Sequence, residues 1–362
     1  LRILVIQIII DSLTCLIIAF IAKTLNKSFF ILAGIVSAFS PLMIIISSQI
    51  LSDTIFLFFF SISILSILNF SKYKKERFIY LGAIFLSLAL FTRAVVLPFI
   101  FLIPILIFYI CYKEKHSVLK IIKITTIFFI VSLSFATPRI INNYYNFNTL
   151  SLTSQSGAHL AYWVVPAILD FDSEKKKVQY KKKLEELNLT IETLDNPFDQ
   201  SELLKKEAFN FLLAAEKKII FLAWSKGALM NTFGPPFIID KRFRDLPHPS
   251  FYENDRNLVN WITRILKEDK FKKYKVVLCI TVIFSVFFIL LFSYGLILLY
   301  KSYFKTAVIF SIIILYFLAI TGPVFSPKYI HPILPVLITF EVIALRQFFE
   351  FFVKSIINAK RY

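Results

Sequence analysis

The sequence predicts an all-α integral membrane protein with about nine transmembrane helices and one mostly helical domain outside the membrane. Of its 362 residues, 57% are hydrophobic, and the mean hydropathy is +0.72. Apolar runs of roughly 20 residues, the length that crosses a hydrocarbon core of about 30 Å, alternate with short basic clusters. Backbone groups in lipid must be hydrogen-bonded internally, so these runs are predicted to be helices.

The predicted spans follow one another closely, apart from one long interval. We place them at about 3–22, 29–48, 50–70, 78–92, 94–112, 118–137, 276–300, 304–322 and 331–351. Residues 1–137 are therefore expected to form a six-span bundle, residues 138–275 an extracytoplasmic domain, and residues 276–362 three spans and a cytoplasmic tail.

The interval at 138–275 is hydrophilic and holds 17 of the 23 acidic residues. Its apolar spacing predicts helices at 173–187, 200–232 and 256–268, with interruptions at 188–190 and 195–197. The three tryptophans also lie here, and they either anchor the domain at the membrane interface or pack its core: Trp163, Trp224 and Trp261.

The basic residues of the short loops predict the orientation. Sixteen lie on one side of the predicted membrane and only Arg2, Arg93 and Lys328 on the other, with the long interval left out. By the positive-inside rule, residues 138–275 face the periplasm or its equivalent. An Ile-, Lys- and Asn-rich composition suggests an AT-rich bacterial genome, so the membrane is expected to be a bacterial inner (plasma) membrane. The +18 net charge is thus explained by topology, so the expected partners include membrane lipids and no nucleic acid.

Cys15, Cys111 and Cys279 lie in apolar runs and are predicted to be buried and unbridged.

Four ionisable residues fall at one predicted depth, on the non-cytoplasmic side. They are an acid and three bases: Asp53, Arg93, Arg139 and Lys328. Each alone is explained as a span-end residue. Together they favour an anionic-ligand site, in which the cations bind phosphate and the carboxylate positions or deprotonates a hydroxyl.

Four segments carry a resemblance to a known family in their order: SPLMIIISSQILSDTIF, LALFTRAVVLPF, TPRIINNYYNFNTLSLTSQSGAHLAYW and SPKYIHPILPVL. They resemble the GT-C superfamily of membrane glycosyltransferases, of the dolichyl-phosphate-mannose–protein mannosyltransferase type. The resemblance implies a GT-C-like fold and a hexosyltransferase that moves a sugar, with inversion, from a polyprenyl-phosphate donor to a lipid, glycan or protein hydroxyl at the outer face. It implies no cofactor, and we expect no metal.

The resemblance assigns roles to particular residues. Asp53 matches a supporting acid, and the donor phosphate is expected to contact Arg93, Arg139 and Lys328. The supporting residues are Asn142, Asn143, Tyr144 and Tyr329. This chain departs from the family pattern at four positions. Ala94 stands where proline is usual, Arg139 where tryptophan is usual, and both Asn142 and Lys328 where arginine is usual. The principal catalytic aspartate of the family lies in a first outer loop, and the chain matches the family from its third span onward. We therefore expect an N-terminally truncated chain that is inactive alone.

A second interpretation is a proton-coupled transporter or flippase. Asp11, with Gln7 one turn away, and Glu341 lie mid-span, where acids often carry protons, although each also suits a helix-packing hydrogen bond. The absence of an inverted repeat argues against transport. A third class, a non-catalytic membrane scaffold, has no motif in its favour. His159, His248 and His331 lack ligand spacing, in keeping with no metal.

Overall fold

The computed structural model describes residues 2–234, 236, 241–249 and 258–359. Within these residues every regular element is helical and none is a strand, so the predicted all-α class is confirmed for the described chain. The α-helices, numbered in chain order, are α1 (Arg2–Leu25), α2 (Phe29–Ala38), α3 (Pro41–Ser47), α4 (Asp53–Tyr73), α5 (Glu76–Thr92), α6 (Leu97–Lys113), α7 (Val118–Leu133), α8 (Thr137–Phe147), α9 (Gln155–His159), α10 (Val165–Leu169), α11 (Glu174–Ile191), α12 (Pro197–Ala214), α13 (Lys217–Phe233), α14 (Lys241–Arg244), α15 (Leu258–Lys267), α16 (Lys272–Ser302), α17 (Phe304–Thr321) and α18 (Leu334–Ala359).

Five described helical segments are long and apolar enough to cross a membrane, by length and composition. They are Arg2–Leu25, Asp53–Tyr73, Ala94–Lys113, Asp269–Ser302 and Phe304–Thr321. Two bent pairs raise the number to seven if each is one span: α2 with α3, bent by 52°, and α7 with α8, bent by 57°.

The remaining two predicted spans correspond to α5 and α18. Helix α5 has 17 residues. The first 18 residues of α18 include three charged side chains, Glu341, Arg346 and Glu350. Nine spans therefore stay a prediction, of which the structure bears out the five long apolar helices.

Contacts divide the chain into two compact units. The first comprises Leu1–Leu51, Thr232–Val308 and Ser326–Tyr362, and the second comprises Ser52–Asn231 and Ile309–Phe325. Each unit contains predicted spans and part of the hydrophilic interval, so the three-segment division expected from sequence stays a prediction.

In the first unit, α1 packs on α2 and α18, and α16 packs on α18. The last two approach closely at Gly295, where an added Cβ would lie 2.0 Å from the Phe340 carbonyl oxygen. Only a residue without a side chain allows this approach. Near the start of α1, the Gln7 amide donates to the Leu51 carbonyl at 2.6 Å.

In the second unit, α4 and α5 form an antiparallel pair. Ser63 lies ten residues after the start of α4, and its hydroxyl donates at 2.9 Å to the carbonyl of Gly82, ten residues before the end of α5. Phe60 of α4 packs edge-on against Phe99 of α6 and Phe317 of α17. Helix α7 packs on both α5 and α6. The first residue of α4 and the last residue of α5 therefore lie at the same end of this bundle.

The hydrophilic part of the second unit is built on a small apolar core of α9 to α12. Its buried residues are Ala161, Val165, Leu169, Tyr180, Leu184, Leu204 and Ala208. The Gly157 amide of α9 donates to the Ser201 hydroxyl of α12 at 3.0 Å, and an added Cβ on this glycine would lie 1.9 Å from the Ser201 carbonyl oxygen.

Of three boundaries predicted in this region, two differ in the structure and one is confirmed. Helix α11 continues to Ile191, through the interruption expected at 188–190. The break expected at 195–197 is confirmed, because the Asn196 side chain caps α12 and Pro197 is its first residue. The single helix expected at 200–232 is two helices, α12 and α13, separated by extended backbone at Ala215.

The cysteines and tryptophans have mixed environments. Cys15 and Cys111 are buried as predicted, whereas Cys279 is exposed, which corrects its predicted burial. Trp163 is exposed, and the indole N–H of Trp261 donates to the Pro249 carbonyl at 2.8 Å.

Candidate functional site

The structure brings together two of the predicted site residues, Asp53 and Arg93. Asp53 begins α4 and Arg93 is the first residue after α5, so the antiparallel packing makes them neighbours. The Arg93 Nη1 atom donates to Asp53 Oδ1 in an ion pair. Each charge also suits its position, since a carboxylate stabilises a helix N-terminus and a cation stabilises a C-terminus.

The ion pair is buried on one side and open on the other. The Asp53 side chain is 7% exposed, whereas the Arg93 side chain is 28% exposed. A buried carboxylate requires a partner because its desolvation is costly, and Arg93 supplies that partner. A guanidinium has five N–H donors, of which one is used on Asp53, and no other hydrogen bond or ion pair of Arg93 occurs among the described residues. Arg93 therefore retains donors for an anion.

Beside the pair lies a hydroxyl that the sequence analysis did not select. Thr54 is 1% exposed, and its Oγ1 atom has no hydrogen-bond partner among the described residues. A buried polar group without a partner is uncommon. The hydroxyls of Ser61 and Ser132 are in the same state, so Thr54 is distinguished by its position next to Asp53. The only sequence signal was its adjacency to Asp53.

Arg139 lies at the same end of the second unit. The Phe135 amide, just after α7, donates to the Ser87 hydroxyl of α5 at 3.0 Å, which fixes this end of α7 about one and a half turns below Arg93. The chain then bends by 57° into α8, in whose first turn Arg139 is exposed. Arg139 and Arg93 thus share one end of the bundle, while no contact joins Arg139 to the Asp53–Arg93 pair.

The supporting residues expected on α8 have local roles. Asn143 is buried, and its amide donates to the Ser151 carbonyl at 2.8 Å, which holds the loop after the helix. The Asn142 side chain accepts from Asn146 at 3.1 Å. Tyr144 is exposed and contacts Tyr145. Of these, only Tyr144 presents its side chain to a ligand without breaking a local hydrogen bond.

Lys328 and Tyr329 belong to the first unit. Both lie in the 3-10 turn Pro327–Tyr329, where the Lys328 ammonium is 5.4 Å from the centre of the Tyr329 ring. Their predicted place in one site with Arg93 stays a prediction.

The acids of the transporter interpretation also lie in the first unit. Glu341 of α18 is 9% exposed, and no hydrogen bond or ion pair of its carboxyl occurs among the described residues. Asp11 of α1 is half-buried. Helices α1 and α18 pack on each other.

A concave surface with a volume of about 460 Å³ lies between α11 and α12, away from the Asp53–Arg93 pair. Its lining includes Tyr180, Lys183 and Glu207. Lys183 pairs with Glu207 at 2.8 Å, and the Tyr180 hydroxyl donates to the Ala161 carbonyl. Burial, with the Glu207 charge, raises the pKa of Tyr180, so the phenol keeps its proton. These groups are satisfied internally, so we place the candidate site at the Asp53–Arg93 pair instead.

In comparisons with known proteins, no family model, no curated protein and no solved structure matches this chain. Among the described residues, no group of three or more histidine, cysteine, aspartate or glutamate side chains is arranged to hold a metal ion. The function proposed below is therefore inferred from the geometry of the site.

Proposed function

We propose that this chain binds the donor in membrane glycosyl transfer, in which a sugar moves from a polyprenyl-phosphate carrier to a hydroxyl of a lipid, glycan or protein, with inversion. The observation that carries the proposal is the Asp53–Arg93 pair. It fixes a partly exposed guanidinium at the end of a bundle of long apolar helices. A ligand with a phosphate and a long apolar chain matches both features.

In the proposed reaction, the acceptor oxygen attacks the anomeric carbon and the bond from that carbon to the phosphate oxygen breaks. The acceptor proton passes to a base, and the polyprenyl phosphate leaves with an additional negative charge. Fixed N–H donors aimed at that charge stabilise the transition state more than the ground state. Arg93 supplies such donors, Arg139 adds a second cation at the same end, and Asp53 positions Arg93 and is not the base, because its carboxylate is committed to the ion pair.

The topology of nine spans is part of this proposal. In it, Asp53, Arg93 and Arg139 face the non-cytoplasmic side of a bacterial inner membrane together with the domain at 138–275. The short-loop charges support this orientation, because sixteen basic residues lie on the opposite side.

Photocrosslinking tests the proposed donor. The purified chain in nanodiscs is illuminated with a polyprenyl-phosphate hexose that carries a diazirine near the phosphate, and the labelled peptides are identified by mass spectrometry. We expect label on peptides that contain the start of α4 or the end of α5. Unlabelled donor should compete, whereas the polyprenyl hexoside without phosphate should not. Equal competition by the phosphate-free lipid would contradict the proposal.

A transporter remains the alternative, because Glu341 is buried without a described partner. That function predicts substrate-dependent proton uptake into proteoliposomes that Glu341→Gln abolishes and Arg93→Ala does not. The transferase predicts that Glu341→Gln leaves donor labelling unchanged.

A further inference from the structure

Helix α13 is held against the end of α17 by one of its faces. The indole N–H of Trp224 donates to the Ala319 carbonyl at 3.1 Å, and the Asn231 amide donates to the Val324 carbonyl at 2.9 Å. Between them, Gly227 approaches so closely that an added Cβ would lie 2.5 Å from the Gly322 carbonyl oxygen. Positions 224, 227 and 231 are spaced three and four residues apart, so they share one helix face.

The end of α17 lies at the same end of the bundle as the Asp53–Arg93 pair. Along α17, Ile313 lines a small cavity together with Ile67, deep in α4, whereas Phe317, one turn further on, packs on Phe60, which is nearer to Asp53. The Tyr316 hydroxyl donates to the Val95 carbonyl, two residues after Arg93. Helix α17 therefore runs towards Asp53, and α13 lies where α17 ends at Thr321.

The opposite face of α13 is apolar and exposed. Phe221 is 70% exposed, Leu222 is 42% exposed and Leu229 is 59% exposed. With a helical repeat of 3.6 residues, Leu222 and Leu229 lie opposite Gly227, and Phe221 lies on the flank between them and Trp224. Lys218, which is exposed, lies on this side one turn before Leu222, and Lys217 is its neighbour.

From this arrangement we infer that α13 lies in the membrane interface at the Asp53 end, with Phe221, Leu222 and Leu229 inserted among phospholipid acyl chains. Because α17 is long and apolar enough to span a membrane and is attached to α13 at its last turn, α13 is held at the depth where a bilayer core ends. A helix with an apolar face and basic residues at its start suits that depth, where lysines meet anionic headgroups. The inference depends on the membrane placement in the proposed function and is independent of its chemistry.

The consequence for the proposed site is an apolar surface beside it. A polyprenyl-phosphate donor keeps its chain in the lipid and its phosphate at the interface, at the depth assigned to both α13 and Arg93. A donor lipid that moves from the bilayer to Arg93 would then pass along the apolar face of α13.

Spin labels measure this placement without any donor. In a background with Cys15, Cys111 and Cys279 replaced by alanine, nitroxides are attached at Phe221→Cys and Leu229→Cys, and the chain is placed in liposomes with phosphatidylglycerol. References are Ile283→Cys, exposed within α16, and Lys182→Cys, exposed on α11. We expect oxygen to reach labels 221 and 229 at least fivefold more effectively than a water-soluble nickel complex, as at 283, and the reverse at 182.

Two results would overturn the inference. One is preferential access of the nickel complex at 221 and 229, which would place that face in water. The other is protection of both positions from both reagents, which would indicate a covering protein surface. Neither result bears on donor labelling, so failure here is distinct from failure of the proposed function.

A glycine variant tests the role of the α17 contact. Gly227→Leu cannot keep the close approach to Gly322, so labels 221 and 229 should lose their preference for oxygen, while label 283 keeps it and reports that α16 is still in the membrane. Unchanged oxygen preference in this variant would contradict the inference that α17 sets the depth of α13.

Discussion

Both ends of the α4–α7 bundle carry ion pairs between acidic and basic residues, but the two ends differ in how exposed the acidic side chains are. At one end, Lys74 pairs with Glu114 and Lys120 pairs with Glu76, and all four side chains are between 30% and 42% exposed. At the other end, the Asp53 side chain is 7% exposed beneath Arg93. Exposed ion pairs are worth about 0–1 kcal/mol, whereas loss of one partner from a buried pair costs about 3–5 kcal/mol. The two ends therefore differ in the burial of the carboxylate, and this difference is why we propose a binding site at the Asp53 end.

The largest expected effect is at the buried pair. Arg93→Ala leaves the Asp53 carboxylate without its described partner, so the free energy of unfolding should fall by about 3 kcal/mol. The double variant Asp53→Ala/Arg93→Ala should recover part of that loss, because no uncompensated charge remains. Unfolding in mixed micelles, followed by circular dichroism, provides the measurement. Additive losses in the double variant would show that the two residues do not stabilise each other.

The second prediction compares the cost in stability of an added Cβ at a closely packed glycine and at a loosely packed one. Gly157→Ala would place its Cβ 1.9 Å from the Ser201 carbonyl, whereas Gly34→Ala meets only the Ala19 Cβ at 3.7 Å. Overpacking costs about 1–3 kcal/mol, so G157A should unfold more easily, and G34A should match the unmodified chain. Proteolysis of the region at 155–215 is a convenient measure, and equal protease resistance of the two variants would contradict the packing described for α9 and α12.

Two hydroxyls of α4 provide a smaller contrast. Thr54 has a buried Oγ1 without a described partner, whereas the Ser63 hydroxyl donates to the Gly82 carbonyl. Ser63→Ala should lower stability by about 1 kcal/mol, and Thr54→Val should leave it unchanged or raise it. Thr54→Val should also weaken donor binding if its hydroxyl contacts the phosphate. A loss of stability in T54V equal to that in S63A would indicate that Thr54 has a structural partner.

The smallest effect is expected at the basic end. Lys120→Ala removes an exposed pair with Glu76, so stability should change by less than about 1 kcal/mol and the change should shrink in high salt. A salt-independent loss as large as that of Arg93→Ala would remove the distinction between the two ends.

The sequence predicted the depth of the site residues but not which way they face. Hydropathy placed Asp53 and Arg93 at the same level, and the antiparallel packing of α4 and α5 confirmed that they meet. Hydropathy does not show how each helix is rotated about its own axis. It therefore could not show that Arg93 covers Asp53 or that Arg139 is exposed on a bent helix.

Helix boundaries outside the bundle show a similar limit. Asn188 has a low helix propensity, yet α11 continues through it because its side chain accepts from the Tyr162 hydroxyl while Leu187 and Ile191 pack on the apolar core. Tertiary contacts of this kind are not visible in a local sequence pattern. Asn196 and Pro197, by contrast, act locally, and the break that they predict is present.

The most direct test compares two arginine variants at opposite ends of α5. The measured quantity is the equilibrium dissociation constant for a polyprenyl-phosphate hexose. Arg93 follows the end of α5, and Arg77, exposed in its first turn, lies at the basic end. Both substitutions to alanine remove one positive charge. We expect Arg93→Ala to weaken binding at least tenfold, a change of about 1.4 kcal/mol, and Arg77→Ala to leave it within twofold. Equal affinities for the two variants would contradict the assignment of the donor phosphate to Arg93.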